Sequence, residues 1–394
     1  MQFNTPATVS GELAHLDVFT RSETVVLDPA SLLAALAQVP DFRKKRGIRY
    51  PLPQLLCAVV CAMLCNEDSL TEISDWITHT GLTLFTDSKA GPSIATLHRV
   101  LSRVDSSLLD RITTTWIRTA GGTANNHVAT VSSKTVLSFD GKDIHGAKNG
   151  RGKRVFLLAL YEHRTGTVVA QESVGEKTNE IPHVAPLLAQ YGNLTGTVII
   201  ADALHTQRTH ADLIVGAGAD FAFTAKHNQK RVRQHAEEHF RARHTPDSTS
   251  TEHLHGRRTI RSITVLPARA DFPFPHVKRI ARITRDHYYD DETKNTRETV
   301  FVITSLGITD ITAADLATLI RGHWGIENGL HWVRDVTFGE DKSQIRTGNA
   351  PHAMAVLRNL TIGLLRHNSD TPNIAQARRN NQYHPDRAYK LLNP

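Results

Sequence analysis

Three acids in this chain stand where strand-borne chemistry needs them. Val136-Leu-Ser-Phe-Asp140 is an apolar run that ends in a carboxylate and is followed by Gly141. Thr197-Val-Ile-Ile-Ala-Asp202 does the same, and far downstream His323-Trp-Gly-Ile-Glu327 sets a third acid among aromatic and basic residues. Hard oxygen donors delivered from separate elements suit Mg²⁺ or Mn²⁺, whereas His and Cys donors suit zinc. Two such ions about 3.5–4 Å apart promote the cleavage and formation of phosphodiesters. One strand-end acid is more often a turn or cap residue, so the repetition carries the weight. Taken alone, the pattern fits any two-metal nuclease.

For the acids to meet, the strands ending at Asp140 and Asp202 must be neighbours, and a helix carrying Glu327 must pack across the same edge. The rest of the chain is consistent with that need. Residues 1–128 have the periodicity of a helical region, with a capping box at Ser69-Leu-Thr-Glu72, a cap at Ser93, and a linker at Gly121-Gly-Thr-Ala-Asn-Asn126. Residues 129–225 alternate short β-rich runs with helix, which predicts an α/β core with a mixed sheet flanked by helices. Residues 226–305 interrupt it as a β-rich insertion, with strands expected at 259–266, 277–284 and 298–304. Residues 306–372 return to helix, with Glu327 in a helical stretch at 312–335, and 373–394 form a C-terminal tail.

The chain has 394 residues, 22 histidines and a net charge of +7 with His neutral. That balance favours a polyanionic partner. The longest apolar stretch, Leu55 to Cys65, is about half the roughly 20 residues that a membrane-spanning helix needs. The N-terminus lacks a charged n-region and an apolar h-region, so a cytoplasmic protein with no membrane partner is expected. Cys57, Cys61 and Cys65 fall four apart in an apolar helical run. They rise about 6 Å per step and cannot converge on one ion, so they are expected in the core.

Cations are the other candidates. Lys142 and Lys226 lie just past predicted strand ends, where each could hold a DNA phosphate. The loop Arg43-Lys44-Lys45-Arg46, with Arg49 nearby, is a candidate for non-specific backbone contact. Trp324 and Trp332 are expected to pack in the core rather than stack on bases. His235-Ala-Glu-Glu-His239 formally matches an inverted zinc-peptidase pattern, but its surroundings are those of a basic amphipathic helix.

The flanks of the three acids are more specific. Asp140-Gly-Lys142, Val174-Gly-Glu-Lys-Thr-Asn-Glu-Ile-Pro182, Ala201-Asp-Ala-Leu-His-Thr-Gln207 and Thr224-Ala-Lys-His-Asn-Gln229 resemble DDE transposases of bacterial insertion sequences. So do Gly322-His-Trp-Gly-Ile-Glu-Asn-Gly-Leu-His-Trp332 and Asp335-Val-Thr-Phe-Gly-Glu-Asp341. The match is to the ISAs, or H-repeat-associated, family and runs from about Leu32 to the C-terminus. The resemblance implies an RNase H-like catalytic core with the β-rich insertion between the second Asp and the Glu, and Asp140, Asp202 and Glu327 as ligands of two Mg²⁺ or Mn²⁺ ions. It also implies a basic partner seven residues after the Glu, here Arg334, which on an α-helix would share the face of Glu327. The partners implied are double-stranded DNA (terminal inverted repeats and target) and further copies of the chain, as a homodimer or larger synaptic assembly. The helical N-terminal region would help to recognise the repeats. Asp143, His145 and Thr259 depart from the family's usual residues. They leave open a decayed transposase that only binds DNA; another RNase H-like nuclease is the remaining alternative.

Overall fold

Helices and strands fall largely where the capping and alternation signals put them. The computed structural model describes residues 32–81, 91–120, 134–148, 154–174, 180–242, 244–254, 257–289, 295–368, 371 and 373–392. The expected linker at Gly121 to Asn126 and residues 175–179 of the Val174 to Pro182 segment lie outside the described residues. In chain order, helices α1 (Leu32–Leu36), α2 (Leu52–Leu64), α3 (Leu70–Trp76), α4 (Ile94–Leu101) and α5 (Ser106–Ala120) precede strand β1 (Thr135–Lys148). Strands β2 (Arg154–Glu162) and β3 (Thr167–Val174) follow, then α6 (Val184–Tyr191), β4 (Thr197–Ala201), α7 (Arg208–Gly216), β5 (Asp220–Ala225) and α8 (Lys230–His239). Next come β6 (Ser248–Leu254), β7 (Arg257–Pro267), β8 (Arg279–Tyr289) and β9 (Thr296–Thr304). Last are α9 (Ala313–Gly322), an irregular helical segment at 324–337, α10 (Ala350–Asn368), α11 (Ile374–Tyr383) and α12 (Pro385–Lys390).

The chain forms two compact units that do not follow chain order. The first holds the described parts of 128–140 and 192–324. Its sheet runs β1-β4-β5-β9-β8-β7-β6. Strands β1, β4 and β5 are parallel, and β9 joins β5 antiparallel. Strand β4 is buried along its whole length and apolar from Val198 to Ala201, as a central parallel strand should be. On one face Val198, Ile200, Ala222, Ile263, Ala281, Ile283 and Val302 pack under Leu316, Leu319 and Ile320 of α9. Those three lie at helical spacing behind the Thr312 cap, whose hydroxyl accepts from the Asp315 amide.

The β-rich insertion is continuous with the core sheet: β9 pairs with β5 from Ala225↔Phe301 to Ala222↔Thr304, so β6 to β9 prolong it. Strand β6 was not expected, because its Ser-Thr-Ser-Thr run carries no apolar alternation.

The second unit holds the described parts of 21–127, 141–191 and 325–394, with strand order β3-β2-β1. Its core combines α2 and α5 with α10, so the N-terminal helices share one core with the C-terminal ones. Cys57, Cys61 and Cys65 are buried in it. Burial pushes the Cys57 and Cys65 thiols up to about 12, and Cys61 well above its usual value, which leaves them unreactive. A window at Lys45–Leu64 does have the length and hydropathy of a membrane span, contrary to the sequence estimate, but 67% of it is buried in the fold. The helix within it, 13 residues long, spans about 20 Å.

Candidate active site

The site begins with the β1–β4 register. Ser138 pairs with Ile200. Two residues beyond that pair, on neighbouring parallel strands about 4.8 Å apart, come Asp140 and Asp202. The two-residue alternation puts both on the face that carries Ile200 and packs under α9. Both are half-buried. Asp202 stands just past the end of β4, as expected, but Asp140 does not end its strand: β1 continues to Lys148. Asp140 is the point at which the chain passes from one compact unit to the other.

The motif residues around Asp202 build its loop. The His205 amide donates to Asp202 Oδ1 at 3.3 Å. Thr206 Oγ1 donates to the carbonyls of Asp202 (3.3 Å) and Thr224 (2.7 Å). From the end of β5, the Asn228 side-chain amide donates to the Ala203 carbonyl, and Gln229 Nε2 to the Thr206 carbonyl at 2.7 Å. The His205 ring stands edge-on to Phe139, 4.7 Å between centroids, directly before Asp140. Thus the Ala201–Gln207 and Thr224–Gln229 motifs are two halves of one clamp on the Asp202 turn.

Two further groups lie close. His323 closes α9, and its Nδ1 is buried with no hydrogen-bond partner among the described residues. Burial holds the imidazole below its usual value, with the Asp202 carboxylate pulling up and His205 and Lys226 pushing down. A neutral imidazole therefore sits within electrostatic reach of Asp202. It was part of a quoted motif, but nothing in its spacing distinguished it from the other 21 histidines. Lys226 follows β5 with its side chain exposed. Among the described residues no three His, Cys, Asp or Glu side chains already converge as a chelate. Two carboxylates at one level on neighbouring strands nevertheless form a donor set that fits a hard divalent cation.

Glu327 belongs to the second unit and is exposed. The expected continuous α-helix is replaced by two π turns, Glu327–His331 and Val333–Thr337. Their signature bonds are Trp332 N–H to Glu327 O and Phe338 N–H to Val333 O. Glycines let this segment lie close to β2. A Cβ on Gly325 would meet the His163 ring at 3.3 Å, and one on Gly329 would meet Tyr161 Oη at 2.8 Å. Arg366 donates to both Tyr161 Oη (2.7 Å) and the Gly329 carbonyl, fixing the turn that follows Glu327.

The wider winding corrects the expectation for Arg334. Seven residues no longer make two turns, so Arg334 leaves the face of Glu327 and is fully buried, 0% exposed. Its Nε and Nη2 donate to the two oxygens of Glu340 at 3.1 and 2.7 Å, and Arg358 Nη1 adds a third bond at 2.9 Å. Burial pushes the Glu340 carboxyl up, but the two guanidiniums outweigh it and hold it at about 2. The guanidinium of Arg334 is a strut here and not an open phosphate ligand. Lys142 is likewise corrected: it lies within β1, is 9% exposed, and donates to Asp335 Oδ2 at 2.7 Å.

The remaining candidates divide. Arg43 is tied to Asp41 (2.7 Å) and to the Tyr50 carbonyl (2.8 Å), so it shapes its loop, whereas Lys44, Lys45 and Arg46 are exposed. Trp324 and Trp332 are 51% and 55% exposed and so are not core residues. His235 and His239 bond the carbonyls one turn back and stand edge-on to Phe272, which is packing and not chelation. Asp143 is countered by Arg154 (3.1 Å), Thr259 is buried against His287 (3.0 Å), and His145 is exposed.

Residues 131–364 match the family model described as transposase DDE domain, and residues 33–117 match one described as DDE_Tnp_1-associated. Among curated proteins, the chain is 28% identical over 355 residues to "Putative transposase YncI" of Escherichia coli O157:H7, covering 85% of this chain and 87% of that one. It is 27% identical over 350 residues to "H repeat-associated putative transposase YhhI" of Escherichia coli K12, covering 85% and 90%. Among solved structures, a piggyBac transposase synaptic complex with hairpin DNA aligns over 97% of this chain and 82% of that one, at 11% identity and a TM-score of 0.41. A likeness that loose carries no inference about this chain.

Proposed function

We propose that this chain, which belongs to the DDE transposases in their H-repeat family, cleaves DNA at the ends of an insertion sequence and joins the freed ends to a target. The observation that carries the proposal is the Ser138↔Ile200 pair of neighbouring parallel strands, two residues beyond which the chain carries Asp140 on one strand and Asp202 on the other. A mixed sheet flanked by helices, with Asp140 within β1 and Asp202 just past the end of the neighbouring parallel strand β4, supports an RNase H-like core. Asp140 and Asp202 would hold divalent ions of the Mg²⁺ or Mn²⁺ class, with Glu327 as the third acid. When bound, such ions supply Lewis acidity at the phosphodiester. The clamp of Thr206, Asn228 and Gln229 keeps Asp202 in place, so its carboxylate need not reorganise when substrate arrives. Lys226 presents its ammonium to a backbone phosphate beside the acids, as Lys44, Lys45 and Arg46 do in the N-terminal loop. The partners are duplex DNA, both terminal repeats and target, and further copies of the chain, since two ends must be brought together.

The test is cleavage and strand transfer on duplexes carrying the element's ends, with Mg²⁺ present. Wild type should cleave. Asp202→Asn should bind the same duplex and leave it intact, and cleavage by that variant would sink the mechanism. Binding without cleavage by wild type would instead favour a DNA-binding descendant that has lost its chemistry.

A further inference from the structure

We propose that the cleft between α9 and the β6–β8 strands is a second phosphate-binding site, which holds the DNA backbone away from the carboxylates. The inference rests on the DNA-processing reading above and extends it to residues outside the candidate site. The cleft has a volume of about 270 Å³ and lies wholly in the first unit. Three guanidiniums line it, from three different elements: Arg261 on β7, Arg285 on β8 and Arg321 on α9. Ser248, Ser250, Ser262 and Thr318 add hydroxyls.

The sheet pairing makes the arginines unusual. Arg261 and Arg285 stand directly opposite each other, so two like charges face one another on adjacent strands. That arrangement is unfavourable by itself. It becomes favourable when an anion lies between the two. The anions now present are the chain's own. Glu252 Oε2 accepts from Arg261 Nη1 at 2.7 Å, and its Oε1 accepts from Arg321 Nη2 at 3.0 Å. Glu298 accepts from Arg285 at 3.2 Å. Three cations and two carboxylates leave one positive charge over. Glu252, forked between guanidiniums from a strand and a helix, takes the geometry in which paired arginines grip a phosphate. The side chains of Arg321 and Glu298 are 57% and 53% exposed, so a ligand can reach the cleft.

Position supplies the link to DNA. Arg285 pairs with Glu298, four residues beyond Val302, and Val302 pairs with Thr224 at the level of Asp202. Counting three strands across and four residues along, the cleft lies on the order of 20 Å from Asp202. It is on the same face and beyond the same end of the sheet. Helix α9 packs on this face, with Arg321 in its last turn and His323 at its end. A duplex lying along this face would meet the carboxylates and the arginines in sequence.

The experiment measures binding of the full chain to a mixed-sequence DNA duplex by fluorescence anisotropy, at several salt concentrations. Arg285→Ala and Arg321→Ala should each weaken binding about tenfold, and each should make the salt slope shallower by about 0.9. Glu252→Gln should tighten binding, because a competing anion loses its charge. Arg321→Ala removes a half-exposed side chain, so its thermal midpoint should match wild type. Wild-type binding with unchanged affinity and slope in all three variants overturns the cleft but leaves the DNA reading standing. A wild-type chain that binds no duplex overturns both.

Discussion

At the end of β4, Asp202 keeps its carboxylate half-open to water, with a backbone amide on one oxygen and a side-chain clamp on the loop beneath it. In the second unit, Arg334, Glu340 and Arg358 are enclosed, and the Glu340 carboxylate is paired with both guanidiniums. Asp202 and Glu340 each sit in a long motif of the same family, and either could have been taken for a metal ligand on residue type alone. Burial separates them. A carboxylate that water can reach is free to exchange that water for a metal ion. A carboxylate held at about 2 by two buried guanidiniums is already spoken for. The enclosed group is also incompletely satisfied: Arg334 Nη1 and Arg358 Nε and Nη2 find no hydrogen-bond partner among the described residues. Its removal should therefore be costly to the fold, whereas neutralising an open acid should not be.

The sharpest way to break this contrast is to change one acid in each region. Asp202→Asn should lower cleavage on the order of 10³-fold or more, since several kcal/mol of transition-state stabilisation go with a ligand. Its unfolding midpoint should stay at the wild-type value. Glu340→Ala should do the reverse. It strands two buried guanidiniums, at a cost of about 3–5 kcal/mol of stability, while the activity of each molecule that remains folded is retained. Urea unfolding and single-turnover cleavage on both variants decide the matter. If Glu340→Ala abolishes cleavage at full stability, the buried cluster belongs to the chemistry after all.

Histidines in the enclosed region give a second, smaller test, by pH. His352 lies against Ser106 (2.9 Å), and burial together with Arg334 holds its imidazole at about 4, against some pull from Asp105. His331 is held at about 3, by burial and then by Arg334 and Lys142. Both are neutral in the fold and take up protons on unfolding below about 6.5. Their contribution is therefore intact above pH 6.5 and is lost as pH falls toward 4. For His352 the loss amounts to roughly 3 kcal/mol at most. Urea midpoints at pH 7, 5.5 and 4 should fall in that order, and His352→Gln should flatten part of the slope. An unchanged slope would mean that His352 is not the buried neutral group described here.

Much of this arrangement was legible in the sequence, for physical reasons. An apolar run such as Thr197–Ala201 has only one stable place, the middle of a sheet, so the position of Asp202 followed from period and polarity. The caps at Ser69 and Ser93 formed as their hydroxyl spacing requires. What failed depended on winding and on partners distant in sequence. Nothing local distinguishes Glu327–Thr337 from an ordinary α-helix. Its π turns come from Gly325 and Gly329 docking on β2 and from Arg366, 37 residues beyond Gly329. Once the winding changed, the face assigned to Arg334 changed with it. Lys142 was misplaced for a similar reason, because β1 runs eight residues past Asp140 and its partner, Asp335, is 193 residues away. The exposure of Trp324 and Trp332 was hidden because an aromatic at helical spacing looks the same whether it faces the core or the solvent.

The two lysines give the finest form of the comparison, since both were expected to hold phosphates and only one is open. Lys226→Ala removes an exposed ammonium, so it should cost DNA binding no more than about 1 kcal/mol, a few-fold in affinity. It should also make the salt slope shallower by about 0.9, the counterions released at one phosphate. Stability should not move. Lys142→Ala should leave the slope as it is, because its ammonium is already paired with Asp335. It should lower the unfolding midpoint instead, because Asp335, whose carboxyl burial already pushes up against the pull of Lys142, then loses its counter-charge. Affinity measured against salt, beside urea midpoints, separates the two. A shallower slope in Lys142→Ala would mean that the Asp335 pair opens to admit DNA, and the line drawn between open and enclosed charge would then have to move to include β1.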